Sequence, residues 1–176
     1  MRQCIENPNE VNWEDFWAER LEGKVNKDWD KAAPGFFKRT RKEDYQDALF
    51  DKLILDENDV VLDVGCGEGS VTIPIAKRVK KVIGLDSSPK MLEYLEKRAN
   101  DNNIDNIETI LKPIEEINYD EIGDVDVVVC SRSLNGIIPI KEVLSELDKI
   151  ANKYVFITIF GPKTRRLKRI SIMSSA

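Results

Sequence analysis

From about Val60 onward, short runs of branched apolar residues alternate with stretches whose apolar positions repeat at helical spacing. Val60-Val61-Leu62-Asp63-Val64 predicts a buried strand that runs directly into glycines. Val71, Ile75 and Val79 then predict a helix starting near Ser70, with Pro74 early enough to be tolerated where N–H groups lack intrahelical partners. Residues 82–86 predict a second strand, and Ser88-Pro89 a helix start with a good N-cap and a good first helical residue. Leu92, Leu95 and Ala99 supply the apolar stripe of that helix, which Asn102-Asn103 ends. Residues 107–111 and 125–130 predict the third and fourth strands. Residues 140–151 predict a helix with Val143, Leu144, Leu147 and Ile150 on one face. Residues 154–160, almost wholly apolar, predict a fifth strand covered on both faces. The alternation implies an α/β, doubly wound, mostly parallel sheet with right-handed crossovers.

The first 50 residues follow another pattern. All three tryptophans precede the core, in company with Phe16, Phe36 and Phe37. Residues 12–17 and 45–55 both read as helical, so residues 1–50 are expected to form a helical cap packed on a core of residues 51–160. Residues 161–176 read as a short basic tail.

Composition removes several chemistries. The chain has no histidine, and Cys4, Cys66 and Cys130 are widely spaced, which argues against zinc and against histidine-assisted nucleophiles. Cys66 and Cys130 read first as small buried hydrophobes. A net charge of −5 does not point to nucleic acid, although Lys38, Arg39, Arg41 and Lys42 cluster before the core. No apolar run is long enough to cross a bilayer or resembles a secretion signal, so the expected location is cytoplasmic, with no membrane partner.

The strongest chemical signal is the run Val61 to Ser70, in which a strand gives way to glycines at alternate positions and then to a helix. Glycine permits a tight turn and lets backbone approach a ligand. The helix start behind it offers N–H groups to an anion. Asp63 stands two residues before Gly65, placed to accept from the ammonium of an amino-acid ligand. Ser70 replaces the last glycine of a dinucleotide fingerprint, which disfavours a nicotinamide-dependent oxidoreductase. Asp86 closes the second strand about seventeen residues after Gly69, where a carboxylate can take both ribose hydroxyls. Ser87 and Ser88 pin the following turn, and Met91 is placed to pack on a purine.

Together, Val-Leu-Asp-Val-Gly-Cys-Gly-Glu-Gly and Gly-Leu-Asp-Ser-Ser-Pro-Lys-Met-Leu resemble motifs I and II of class I S-adenosylmethionine-dependent methyltransferases. The resemblance implies a Rossmann-like core with S-adenosylmethionine as cofactor, its methionine part beside Gly65, Cys66, Gly67 and Gly69 and its ribose on Asp86. Family members often carry an acid after the third strand for the adenine amino group. Here the stretch reads Leu111-Lys112-Pro113-Ile114-Glu115, so backbone around Ile114 is the expected substitute. Cys130 and the residues after it face the transferred methyl and its acceptor in the family. An Asn/Asp-Pro-Pro-Tyr/Phe run is missing there, against adenine N6 or glutamine amides as acceptors. Arg132 can clamp an acceptor carboxylate or phosphate, with a solvent-facing arginine or an Arg132–Asp126 pair as the plain alternatives. Tyr45 joins the acceptor-side candidates, and Tyr45, Tyr119, a carboxylate or water stands for any base.

Complete family members continue past strand five through a helix and a two-stranded antiparallel hairpin. Residues 161–176 are too short for all three, so strand five is expected at or near a sheet edge, with homo-oligomers through that edge. The expected function is methyl transfer to an unidentified acceptor, a small molecule or protein. The alternative is a non-catalytic cofactor-binding module or partner subunit.

Overall fold

A computed structural model describes residues 15, 28–38, 44–159 and 171–174. The described elements follow the apolar pattern closely. They run α1 (Trp29–Phe37), α2 (Asp44–Phe50), β1 (Val60–Val64), α3 (Thr72–Ala76), β2 (Lys81–Asp86), α4 (Pro89–Asp101) and β3 (Ile107–Leu111). A 3₁₀ turn (Ile114–Glu116), α5 (Tyr119–Ile122), β4 (Val125–Ser131), α6 (Ile140–Ile150), β5 (Ala151–Thr158) and β6 (Ser171–Ser174) complete the order. α4 starts as its sequence predicts: Ser88 caps it by accepting from the Met91 N–H, and Pro89 stands at the first helical position. α3 is shorter than its apolar period implies. The N–H groups of Lys80 and Lys81 bond to the Asp59 carbonyl, so the chain must leave the helix before Val79 to enter β2.

The sheet order is β3-β2-β1-β4-β5-β6. β1 to β5 are parallel, as the alternation of strand and helix requires. Side chains alternate across the sheet. Leu62, Val64, Val128, Cys130 and Val155 pack with Val143, Leu147 and Ile150 of α6 on one face. Val61, Val127, Val129 and Phe156 pack with Tyr45 and Leu49 of α2 and Ile75 of α3 on the other. Because the chain returns from β3 to β4 on the far side of β1, the carboxyl ends of β1 and β4 diverge into a crevice, the usual ligand position in such sheets.

One expectation is corrected. Strand five lies next to the sheet edge, as expected, but does not form it: β6 pairs antiparallel with it, from Tyr154 opposite Ser174 to Ile157 opposite Ser171. A single short strand needs far less chain than a helix plus a hairpin and still satisfies the open edge of β5. The motive for association through that edge goes with it. Residues 12–17, apart from Asp15, and most of the basic tail lie outside the described residues. Among the described residues, no helix is long and apolar enough to cross a membrane.

Candidate functional site: a glycine turn between buried acids

The turn after β1 is folded back on β2. The N–H groups of Gly65 and Cys66 both donate to the Leu85 carbonyl, at 2.7 and 3.0 Å, and Gly69 N–H closes on the Cys66 carbonyl at 3.1 Å. Gly65 has φ +72°, and a Cβ there would overlap the Cβ of Ser133, so no other residue fits. Gly67 differs. Its φ is +55°, and an added Cβ would meet only the Met91 Sδ, at 3.9 Å, so the turn is open on that side.

Two carboxylates flank the turn. Asp63, from β1, is 1% exposed and accepts from the Thr72 hydroxyl at 2.7 Å. Burial, with the charges of Asp86 and Glu68 nearby, pushes its pKa up to about 7 despite that hydrogen bond. Asp86 ends β2 and holds the turn by accepting from Gly67 N–H and Ser88 N–H, each at 2.9 Å. Desolvation raises its pKa, against hydrogen bonds from Ser88, Gly67 and Ser87 that lower it. Glu68 is also buried, with Arg98 at 3.9 Å. The turn is therefore lined by acids whose mutual repulsion a cation would relieve.

The N-terminal helices reach this turn. Asp30 of α1 accepts from the Ser88 hydroxyl at 2.5 Å and from Lys90 N–H at 3.2 Å, while Phe37 stacks on Tyr94 of α4 with ring centroids 4.4 Å apart. Gln46 of α2 donates to the Ser70 carbonyl at 3.1 Å. Its neighbour Tyr45 is buried, with its hydroxyl 2.7 Å from Ser131 Oγ and 2.5 Å from Thr158 Oγ1. Arg132 follows β4 in the left-handed region, φ +60°, and its guanidinium lies 3.4 Å from the centroid of the Tyr45 ring.

The crevice thus brings together Asp63, Gly65, Gly67, Gly69, Asp86, Met91 and Ile114, whose Cδ1 lies 3.4 Å from a Cβ built on Gly65. Ser87 is exposed beside them. Cys66 and Cys130 face inward. The Cys66 thiol packs over Gly84, Cys130 is fully buried, and desolvation raises the pKa of both. Asp126 lies at the opposite end of β4, bonded to Val60 N–H and to Lys153, so it is no partner for Arg132. Tyr119 is also at that far rim, donating to Asp124. Sequence reasoning missed Thr72, Asp30, Gln46, Thr158 and Ser133. The Ser133 hydroxyl is buried against Gly65 with no hydrogen-bond partner among the described residues.

A model of the methyltransferase domain family matches residues 55–170. The chain belongs to that family. It is similar to an uncharacterised protein of Haemophilus influenzae, 29% identical over 132 residues that cover 74% of this chain and 48% of the relative. A shorter stretch of 55 residues, 31% of this chain, is 40% identical to 12% of the 23S rRNA (uracil(1939)-C(5))-methyltransferase RlmD of Francisella tularensis. Among solved structures, a candidate S-adenosylmethionine-dependent methyltransferase of Listeria monocytogenes superposes with a TM-score of 0.56 at 25% identity. That match covers 65% of this chain and 54% of the other. The methyltransferase chain described here therefore spans about half the length of the Haemophilus relative. Its fold is the class I methyltransferase fold, and S-adenosylmethionine is the cofactor of that fold.

Proposed function

We propose that this methyltransferase transfers a methyl group from S-adenosylmethionine to a small-molecule or protein acceptor, in the cytoplasm. The observation that carries the reading is the glycine turn with a buried carboxylate on each side, Asp63 bonded to the Thr72 hydroxyl and Asp86 to Gly67 N–H. The site suits that cofactor on three counts. Its acidic lining matches an ammonium and a sulfonium. Gly67 leaves open the space a side chain would fill. The buried Ser133 hydroxyl also lacks a partner among the described residues, as expected of a group that meets a ligand.

In this reading Asp63 holds the ammonium and Asp86 the ribose hydroxyls, with Ser87 beside it. Met91 packs on the purine, and backbone at Ile114, Cys66 and Cys130 borders the ligand. When bound, the cofactor supplies a methyl already activated by its positive sulfur. The remaining work is alignment and exclusion of water, which the crevice between β1 and β4 would supply by holding the ligand between its walls. Tyr45 is a poor base, because its hydroxyl is buried and already engaged by two side chains. Tyr119 is at the wrong rim. Arg132 is the residue placed to meet an acceptor carboxylate or phosphate, at the mouth of the crevice beyond β4.

The test is labelled methyl transfer from S-adenosylmethionine into fractionated metabolite, protein and RNA extracts. Label in the metabolite or protein fraction supports the reading. Label in RNA overturns the acceptor class, and cofactor binding without any transfer leaves a non-catalytic module.

A further inference from the structure

Adjacent residues of α2 touch both walls of the crevice. Gln46 holds the glycine turn through the Ser70 carbonyl, and Tyr45 holds the ends of β4 and β5 through Ser131 and Thr158. Thr158 carries the load of the second contact. Its Oγ1 accepts from Arg132 N–H at 3.1 Å, and its carbonyl accepts from the same N–H at 3.0 Å. That shared bond fixes Arg132 in the left-handed region, which arginine enters rarely unless surroundings impose it. The next residue, Ser133, is thereby pressed on Gly65.

The hydroxyl inventory makes Tyr45 central. Thr158 is 1% exposed, and its hydroxyl already accepts from backbone, so Tyr45 is its remaining side-chain partner among the described residues. Without the phenol oxygen, Thr158 and Ser131 both lose a bond in a place short of water. The turn 131–133 then keeps the bond from Arg132 N–H to the Thr158 carbonyl but loses the support that Tyr45 gives the Thr158 and Ser131 hydroxyls.

We propose that Tyr45 is a positioning residue for the cofactor, acting through Thr158 and the turn 131–133 to seat Ser133 against the glycine turn. The inference rests on the cofactor reading above. α2 is thus the element that sets the cofactor wall and the acceptor wall of the crevice together.

Calorimetric titration of S-adenosylhomocysteine into the full chain tests it, with thermal unfolding measured alongside. Tyr45→Phe and Thr158→Val should each weaken binding about 3- to 10-fold, the equivalent of one ordinary hydrogen bond. Thr158→Ser, which restores the hydroxyl, should bind within about 2-fold of the unaltered protein, because the hydrogen bond survives. Ser133→Ala should weaken binding too, and the Tyr45→Phe/Ser133→Ala double variant should be no weaker than the worse single one, since the two act in series. Unchanged affinity in Tyr45→Phe, with only a lower melting temperature, overturns the proposal by leaving Tyr45 a packing role. Additive losses in the double variant overturn the route through Ser133. If Tyr45→Phe fails to fold, the contrast between Thr158→Val and Thr158→Ser decides instead, and equal affinities there overturn the proposal. Should the unaltered protein take up no S-adenosylhomocysteine, the cofactor reading itself fails.

Discussion

Asp63 is a carboxyl that the fold holds at high cost: buried, beside two other acids, with a pKa of about 7. In the unfolded chain its ordinary value is 3.8, so between about pH 4 and pH 7 the unfolded state ionises while the native state keeps its proton. Stability from this group is therefore greatest at acid pH, is lost as pH rises through that window, and levels above it. A bound ammonium reverses the preference, because it favours the ionised form. Cofactor affinity should rise from pH 6 to about 7 and then flatten, with about one proton released on binding at pH 6 and about none at pH 8. Calorimetry in buffers of different ionisation heat measures both, and affinity independent of pH across this range would contradict the role given to Asp63. Asp86→Ala should weaken binding by about 1.5–3 kcal/mol, the range for hydrogen bonds to a charged group. Unchanged calorimetric affinity would remove Asp86 from the ribose site. Gly67→Val should abolish binding while circular dichroism stays largely native, since the space it fills is open and valine resists positive φ. Retained binding would mean that the turn faces something other than the ligand.

At the level of elements, the strands and α4 were legible because their signals are local. β1 and β3 occupy the runs that their branched residues mark, and Ser88-Pro89 opens α4. The glycine turn was legible for the same reason, as Asp63, Gly65, Gly67 and Asp86 lie in two short neighbouring runs. The supports of the site were not. Asp30 meets Ser88 across 58 positions and Tyr45 meets Thr158 across 113, and no local period encodes such pairs. Ser133 looks like any loop serine until the fold lays it on Gly65. α4 also carries a packing duty. Leu95 is fully buried, and its side chain presses on both Gly69 and Gly84. Leu95→Ala should cost about 2–5 kcal/mol in urea unfolding, the range for such cavities. A loss under about 1 kcal/mol would mean that the helix–turn contact collapses to fill the gap.

Across the whole molecule, the sheet places one crevice at the carboxyl ends of β1 and β4, with α2 bridging its walls and β6 covering β5. Covering matters because Val155 and Phe156 make β5 strongly apolar. Removal of residues 171–176 should expose that edge and produce self-association in light scattering, and an unchanged size distribution would show that β6 has no protective part. The central claim, that this fold is built around S-adenosylmethionine, is tested most directly by one calorimetric comparison. S-adenosylmethionine and NAD are titrated separately into the full chain at pH 8. Saturable one-to-one binding of S-adenosylmethionine, with no heat from NAD, is the predicted result. Binding of NAD alone, or of neither, would contradict it.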